Sequence, residues 1–296
     1  MSKESNGFFN NGEFKKIREK NLNTVKANNI IFKALTLIIA SAIIVPLLAI
    51  LIFIIYKGIS VVDWQFLTTL PTGMGKKSGI ANALVGTGIL ILIALLISVP
   101  FGIAAGIFLA EFPDRKLSHY INICVKLLQG VPSIIIGIIG YIWIVMPFDY
   151  SAIAGGIVLG VMMFPLVITS TEETLKLIPY SLRESSMALG VPYHKTIIKV
   201  ILPASLSGIV TGILLGVARI AGETAPLLFT AAGSRFWNIN ILEPIAALPL
   251  LIYEYAKSPY EAWHTTAWGA SFILVLLVFI LNIITRLIIR KWKIEF

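Results

Sequence analysis

Charge is scarce in this chain: 13% of its 296 residues are Asp, Glu, Lys or Arg, about half the share of a soluble domain. A surface facing water on all sides cannot be built from so few. Cysteine is nearly missing too; with Cys124 alone, no intrachain disulfide can form. The three histidines, His119, His194 and His264, fall in loops on different sides and cannot meet at one metal ion. No Ser/His/Asp or Cys/His constellation is present either. Catalytic residues, a bound metal and a cofactor of the chain's own are therefore not expected. One stretch, GMGKKSG at Gly73–Gly79, looks faintly like a phosphate-binding loop. That pattern requires glycine where Leu70 stands and Ser or Thr where Lys77 stands, so it reads as a flexible turn.

What the chain has instead is apolar length. Hydrophobic residues make up 57% of it, mean hydropathy is +0.89, and several runs are long enough to cross about 30 Å of hydrocarbon. Six spans are expected, near residues 30–56, 80–110, 120–146, 151–170, 203–229 and 267–289. The fold class is thus an all-α integral membrane protein with six transmembrane helices. Residues 1–29 form a polar N-terminal segment, 30–289 the membrane domain and 290–296 a basic tail. The first run is too long for a signal-peptide core and lacks a clear cleavage site, so it reads as a span. Pro100, Gly102 and Gly106 mark kink or close-packing points in the second span. The third contains the polar, kink-prone group Gln129, Gly130, Pro132 and Ser133. The loop before the sixth span has room for a short interfacial helix.

The net charge of +9 would suit nucleic acid, but its distribution suits a lipid surface. Seventeen of the 24 Lys and Arg fall in the N-terminal region to Lys33, the loop at Arg115, residues 171–202 and the end of the chain from Arg286; the other loops hold five. By the positive-inside rule both termini are expected in the cytoplasm of a prokaryotic plasma membrane. Trp64, Trp143, Trp237, Trp263 and Trp268 then fall toward the outer interface.

The longest charged interruption, residues 171–203, is then cytoplasmic. Ser181 followed three residues later by Glu184 has capping-box spacing after Pro179, which predicts a helix starting at Leu182. Gly190 and Pro192 are the matching stop. Leu182, Ser186 and Leu189 form a narrow stripe, while Ser185, Ser186 and Ala188 keep the surface small. Such a helix is shaped to be gripped by another protein; an ordinary interfacial loop helix is the plainer alternative. Glu172 and Glu173 read as solvated carboxylates at the end of the fourth span.

Arg219 and Glu223 lie four apart in the fifth span, where two charges in an apolar helix can pair. On an ideal helix Gly208, Gly212, Gly216, Arg219 and Glu223 share an arc of roughly 80°, so the charged face also admits close backbone approach. An arginine facing lipid costs at least about 2.5–3.5 kcal/mol, which turns this face toward protein or a wet path. Arg219 would then offer an anion a bidentate partner, with Glu223 holding it; a purely structural ion pair between helices remains the alternative. Pro226 is expected to bend or end that helix.

With these residues in hand the chain resembles the permease subunits of binding-protein-dependent ABC importers. The pattern that carries this is Glu184, Gly190, Val200, Leu202 and Pro203, with Ser185 and Ser186 where the family has alanines and Val200 for its usual isoleucine. The narrower resemblance is to phosphate-importer permeases of the PstA type. It rests on Gly130-Val131-Pro132-Ser133, on Pro165 with Thr171-Glu172-Glu173, and on Ala218-Arg219 with Gly222-Glu223-Thr224-Ala225-Pro226-Leu227.

The resemblance implies a type I importer fold (MetI-like). It also implies that Glu184, Ser185, Ser186, Ala188, Gly190, Leu202 and Pro203 couple to an ATPase, and that Arg219 and Glu223 line the substrate path. Implied partners are a PstC-like permease, two PstB-like ATPases binding ATP and magnesium, an extracytoplasmic phosphate-binding protein, phosphate and membrane lipid. Nucleic acid is not among them. A permease for sulfate or molybdate, an ion-coupled carrier, and a structural membrane subunit are the competing readings.

Overall fold

The computed structural model describes residues 11–72 and 78–292. Residues 73–77 of the expected turn at Gly73–Gly79 and the extreme ends of the chain lie outside the described residues. Contacts divide the chain into two units, Met1–Ile55 and Tyr56–Phe296.

The first unit is dominated by α1 (Asn11–Ile59), whose stretch Asn28–Ile59 is apolar and spans 32 residues. At 1.5 Å per residue that is about 48 Å, ample for a crossing.

In the second unit the elements are α2 (Trp64–Thr68), α3 (Ala81–Glu111), α4 (Lys116–Gly130), α5 (Ser133–Gly140), α6 (Met146–Phe148), α7 (Ala152–Lys176), α8 (Tyr180–Ala188), α9 (Tyr193–Thr196), α10 (Leu202–Ile220), α11 (Ala225–Thr230), α12 (Leu248–Ala256) and α13 (Glu261–Trp292). Among the described residues five helical stretches, counting that of α1, are each long and apolar enough to cross a membrane, and there are six if a bent pair is counted as one span. That pair is the expected third span. It breaks at Val131-Pro132 and turns through 106° between Lys116–Gly130 and Ser133–Phe148. The break falls in the kink-prone group noted in the sequence, because Pro132 offers no N–H and holds extended ψ.

The centre is α7. Of its apolar window 67% is buried, against 22–33% for α3, the stretch Tyr193–Ile220 and α13. Lipid supplies no hydrophobic drive between helices, so association there depends on close van der Waals packing. Small residues provide it. A Cβ on Gly102 or Gly106 of α3 would stand 2.7 and 2.5 Å from Val167 and Thr171 of α7, and one on Gly208, Gly212 or Gly216 of α10 would stand 2.3, 2.1 and 2.8 Å from Thr174, Ser170 and Met163. Leu90, Leu159, Met163, Val217, Ile220 and Leu227 complete the main core.

Several boundaries differ from those expected. The fourth span runs six residues further, so Thr171, Glu172 and Glu173 are helical. Thr171 is fully buried, and Glu172 accepts a 2.6 Å bond from Lys176 one turn on rather than being simply solvated. The fifth span starts ten residues before Pro203. It passes through that proline because Ile197–Ile201 widens to a π-turn, in which Leu202 N–H reaches back to Ile197 O. The same device, Met146 N–H to Tyr141 O, precedes Pro147. The helix expected to lie at the interface before the last span is α12, and it is core: Leu248 is fully buried and donates its N–H to Thr87 Oγ1 at 2.8 Å.

If contact between α7 and α10 depends on glycine, Gly212→Leu should overpack it by about 1–3 kcal/mol. The detergent-solubilised protein should then unfold roughly 2–10 °C lower, measured by thermal melting; an unchanged midpoint would show that the two helices tolerate separation.

Candidate functional site

One candidate site is α8, which joins α7 to α9 at one end of the bundle. It begins at Tyr180, two residues earlier than the capping box placed it. Pro179, with φ −56° and ψ 137°, sits at the N-cap, Leu182 N–H bonds to Pro179 O, and no side chain caps the end, so Ser181 and Glu184 make no capping box. The C-terminal end is as expected. Gly190 takes φ +79°, Gly190 N–H bonds to Met187 O and Val191 N–H to Ser186 O, which together form a Schellman motif.

The face of α8 is split. Glu184, Ser185, Ala188 and Gly190 are exposed, while Ser186 turns inward, where its hydroxyl lies 2.9 Å from that of Thr196 on α9. The expected stripe breaks at Leu189, which is 83% exposed; Leu177 before the helix and Tyr180 at its start are exposed as well. Leu202 and Pro203 lie on α10, not on α8, and Pro203 is exposed.

Sequence reasoning missed the residue that fastens α8. Arg183 is buried, its guanidinium donating from Nη2 to Glu111 Oε1 at 2.8 Å and to Leu175 O at 3.3 Å, and from Nη1 to Ile178 O at 3.1 Å. The hydroxyl of Tyr193 donates to the other oxygen of Glu111. The two charged side chains are 8% and 4% exposed. Helical spacing held a clue, since Arg183 lies three residues before Ser186 and so shares its face.

The second candidate site is Arg219 with Glu223. They do approach, with Arg219 Nε 3.9 Å from Glu223 Oε1, a long contact between side chains 41% and 20% exposed. They do not share a helix. α10 ends at Ile220, Gly222 and Glu223 close the turn with bonds to Arg219 O and Ile220 O, and α11 follows. Pro226 therefore opens α11 instead of ending α10, as the N-terminal turn of a helix accommodates the missing N–H. It also packs on α5, where a Cβ on Gly137 would stand 2.6 Å from Pro226 Cα. Gly208, Gly212 and Gly216 face α7 as described, whereas Arg219 is left exposed. Nearby on the sequence of the bend, Gln129 Nε2 donates to Thr169 Oγ1 of α7 at 3.3 Å. Among the described residues no group of three or more His, Cys, Asp or Glu could hold a metal ion.

A membrane bundle bearing a short helix with exposed apolar side chains around it and an exposed arginine near a helix break has the parts of a transport permease. Residues 102–294 match the family described as binding-protein-dependent transport system inner membrane component, and the chain belongs to that family. Within it the chain is 43% identical over 241 residues to the phosphate transport system permease protein PstA of Yersinia pestis, covering 80% of each. It is 37% identical over 265 residues to the probable phosphate transport system permease protein PstA of Methanocaldococcus jannaschii, covering 88% of this chain and 92% of that one. Among solved structures it resembles the inward-facing MetNI methionine ABC transporter, with a TM-score of 0.59, 21% identity, and coverage of 73% of this chain and 95% of that one. The expected MetI-like fold is therefore the observed one.

Because Ser186 is buried and Glu184 is exposed, their alanine variants should separate. Ser186→Ala leaves Thr196 without its partner and should cost about 1–3 kcal/mol, while Glu184→Ala should leave unfolding unchanged. Urea titration of the two variants reads this; equal losses would place both side chains in the same environment.

Proposed function

We propose that this chain is the PstA-type permease of an ATP-driven importer of inorganic phosphate. It is the membrane-spanning, non-catalytic subunit and forms half of the translocation path. It lies in a prokaryotic plasma membrane with both termini in the cytoplasm, in line with its excess of Lys and Arg at that side. There it pairs with a PstC-like permease, two PstB-like ATPases that bind ATP and magnesium, and an extracytoplasmic phosphate-binding protein.

The observation that carries the reading is α8. It is a nine-residue helix closed by Gly190, with Ser185 and Ala188 on its outer face, exposed Tyr180 as its first residue, and exposed Leu177 and Leu189 next to its ends. Three large apolar side chains left open around a short projecting helix favour burial in a protein partner. Phosphate as the cargo follows from the names of the PstA relatives. In this reading ATP-driven closure of the ATPase moves α8 and changes which side of the membrane the path faces. Arg219 offers the anion a charged, two-pronged donor during passage, and its long contact with Glu223 weakens that grip enough for release.

The deciding experiment is radiolabelled phosphate uptake, with sulfate as competitor, in vesicles holding the four-component complex with and without ATP and with and without this chain. Uptake that needs both and resists sulfate supports the reading. Uptake without ATP would overturn the coupling role, and ATP-dependent sulfate transport would change the cargo. Arg219→Ala should leave the complex assembled and lower phosphate uptake by about 10–100-fold, the worth of a hydrogen bond to a charged group; normal uptake would put the residue outside the path. Gly190→Trp combines an unfavourable φ with a bulky outer face, so the ATPase should no longer co-purify although the chain still inserts.

A further inference from the structure

We propose that Glu111 and Arg183 are positioning residues for transport: a latch that makes α3, α7 and the α9–α10 helix follow α8. This rests on the coupling role proposed for α8.

Two side chains tie four elements together. One oxygen of Glu111, the last residue of α3, accepts from Arg183 on α8, and the other accepts from Tyr193 at the start of α9. Arg183 also spans to Leu175 O in the last turn of α7 and to Ile178 O in the loop just beyond it. Only a planar guanidinium, with several donors in a fixed fork, holds a carboxylate and two carbonyls at once; a lysine ammonium is a single point that turns.

Stability is a poor reason for such a pair. Desolvating two charges offsets most of their attraction, and apolar side chains of the same volume often serve as well. An apolar alternative is already present, since Leu182 packs against the cluster of Leu175, Ile178 and Ile201. Apolar contact is non-directional and allows sliding, whereas hydrogen bonds fail steeply with angle. Ser186 reaches α9 alone. Among the side-chain bonds of α8 it is Arg183 that reaches α3 and α7 with fixed direction. A pull on α8 is therefore delivered to three helices together, including the one that ends beside Arg219.

The test uses the complete complex reconstituted in vesicles with the phosphate-binding protein, and reads phosphate moved per ATP hydrolysed. Glu111→Gln and Arg183→Gln should each assemble with a full complement of ATPase and keep hydrolysing ATP, while phosphate moved per ATP falls about tenfold. Arg183→Lys should recover part of the ratio. An unchanged ratio, whether both rates fall together or neither falls, would reduce the pair to an anchor and overturn the proposal. Failure of all three variants to assemble would overturn it as well, making the pair a folding determinant.

A control separates this from the reading beneath it: Ser185→Cys in a Cys124→Ser chain, joined to the ATPase by a short thiol-to-amine crosslinker. No crosslink would remove α8 as the contact, and the latch with it. A crosslink with an unchanged ratio would remove the latch alone.

Discussion

The architecture depends on backbone closeness along α7. Lipid offers helices no reward for hiding apolar surface from it, so they must be held by dispersion at short range. Gly102 and Gly106 of α3 and Gly208, Gly212 and Gly216 of α10 permit that range by presenting no Cβ to Val167, Thr171, Thr174, Ser170 and Met163. Two helices thus grip adjoining sides of one, and the end of α7 that carries Leu175 and Lys176 packs beside the end of α3 that carries Ile107 and Ala110, next to Glu111. α8 hangs at this junction.

The parts of the fold governed by local chemistry were legible in the sequence. Apolar runs gave the crossings, Gly190 gave the end of α8, and the glycines of α10 marked a close-packed face. The third span was read as kink-prone, but its 106° turn was not foreseen, and beyond that turn α5 packs on α11, with Gly137 against Pro226. Pro203 and Pro226 misled for one reason. Proline forbids a single hydrogen bond, and a sequence does not reveal whether the chain answers by stopping, by widening into a π-turn as at Ile197–Ile201, or by starting a new helix as at Ala225.

The candidate site divides in the same way. Arg219 and Glu223 were found because charge in an apolar run is conspicuous, although the turn at Gly222 that brings them together was not foreseen. Arg183 and Glu111 sit where charges are ordinary, beside the ends of apolar runs, and their partnership joins positions 72 residues apart. Nothing in either neighbourhood announces the other. Even the start of α8 was hidden, because a proline in extended conformation at residue 179 opened the helix before the Ser181–Glu184 spacing could.

The π-turn ahead of Pro203 has a mechanical consequence. It keeps Tyr193–Ile220 a continuous helical stretch of 28 residues, about 42 Å of rod. Of its three glycines that face α7, Gly212 leaves least room for a Cβ, against Ser170, and it lies well off centre. Were the rod to tilt there as on a fulcrum, the arm to Tyr193 would measure about 28 Å and the arm to Arg219 about 10 Å. Movement at the α8 end would reach the arginine reversed in direction and reduced nearly threefold, with force raised in proportion: a coarse stroke geared down to a fine adjustment.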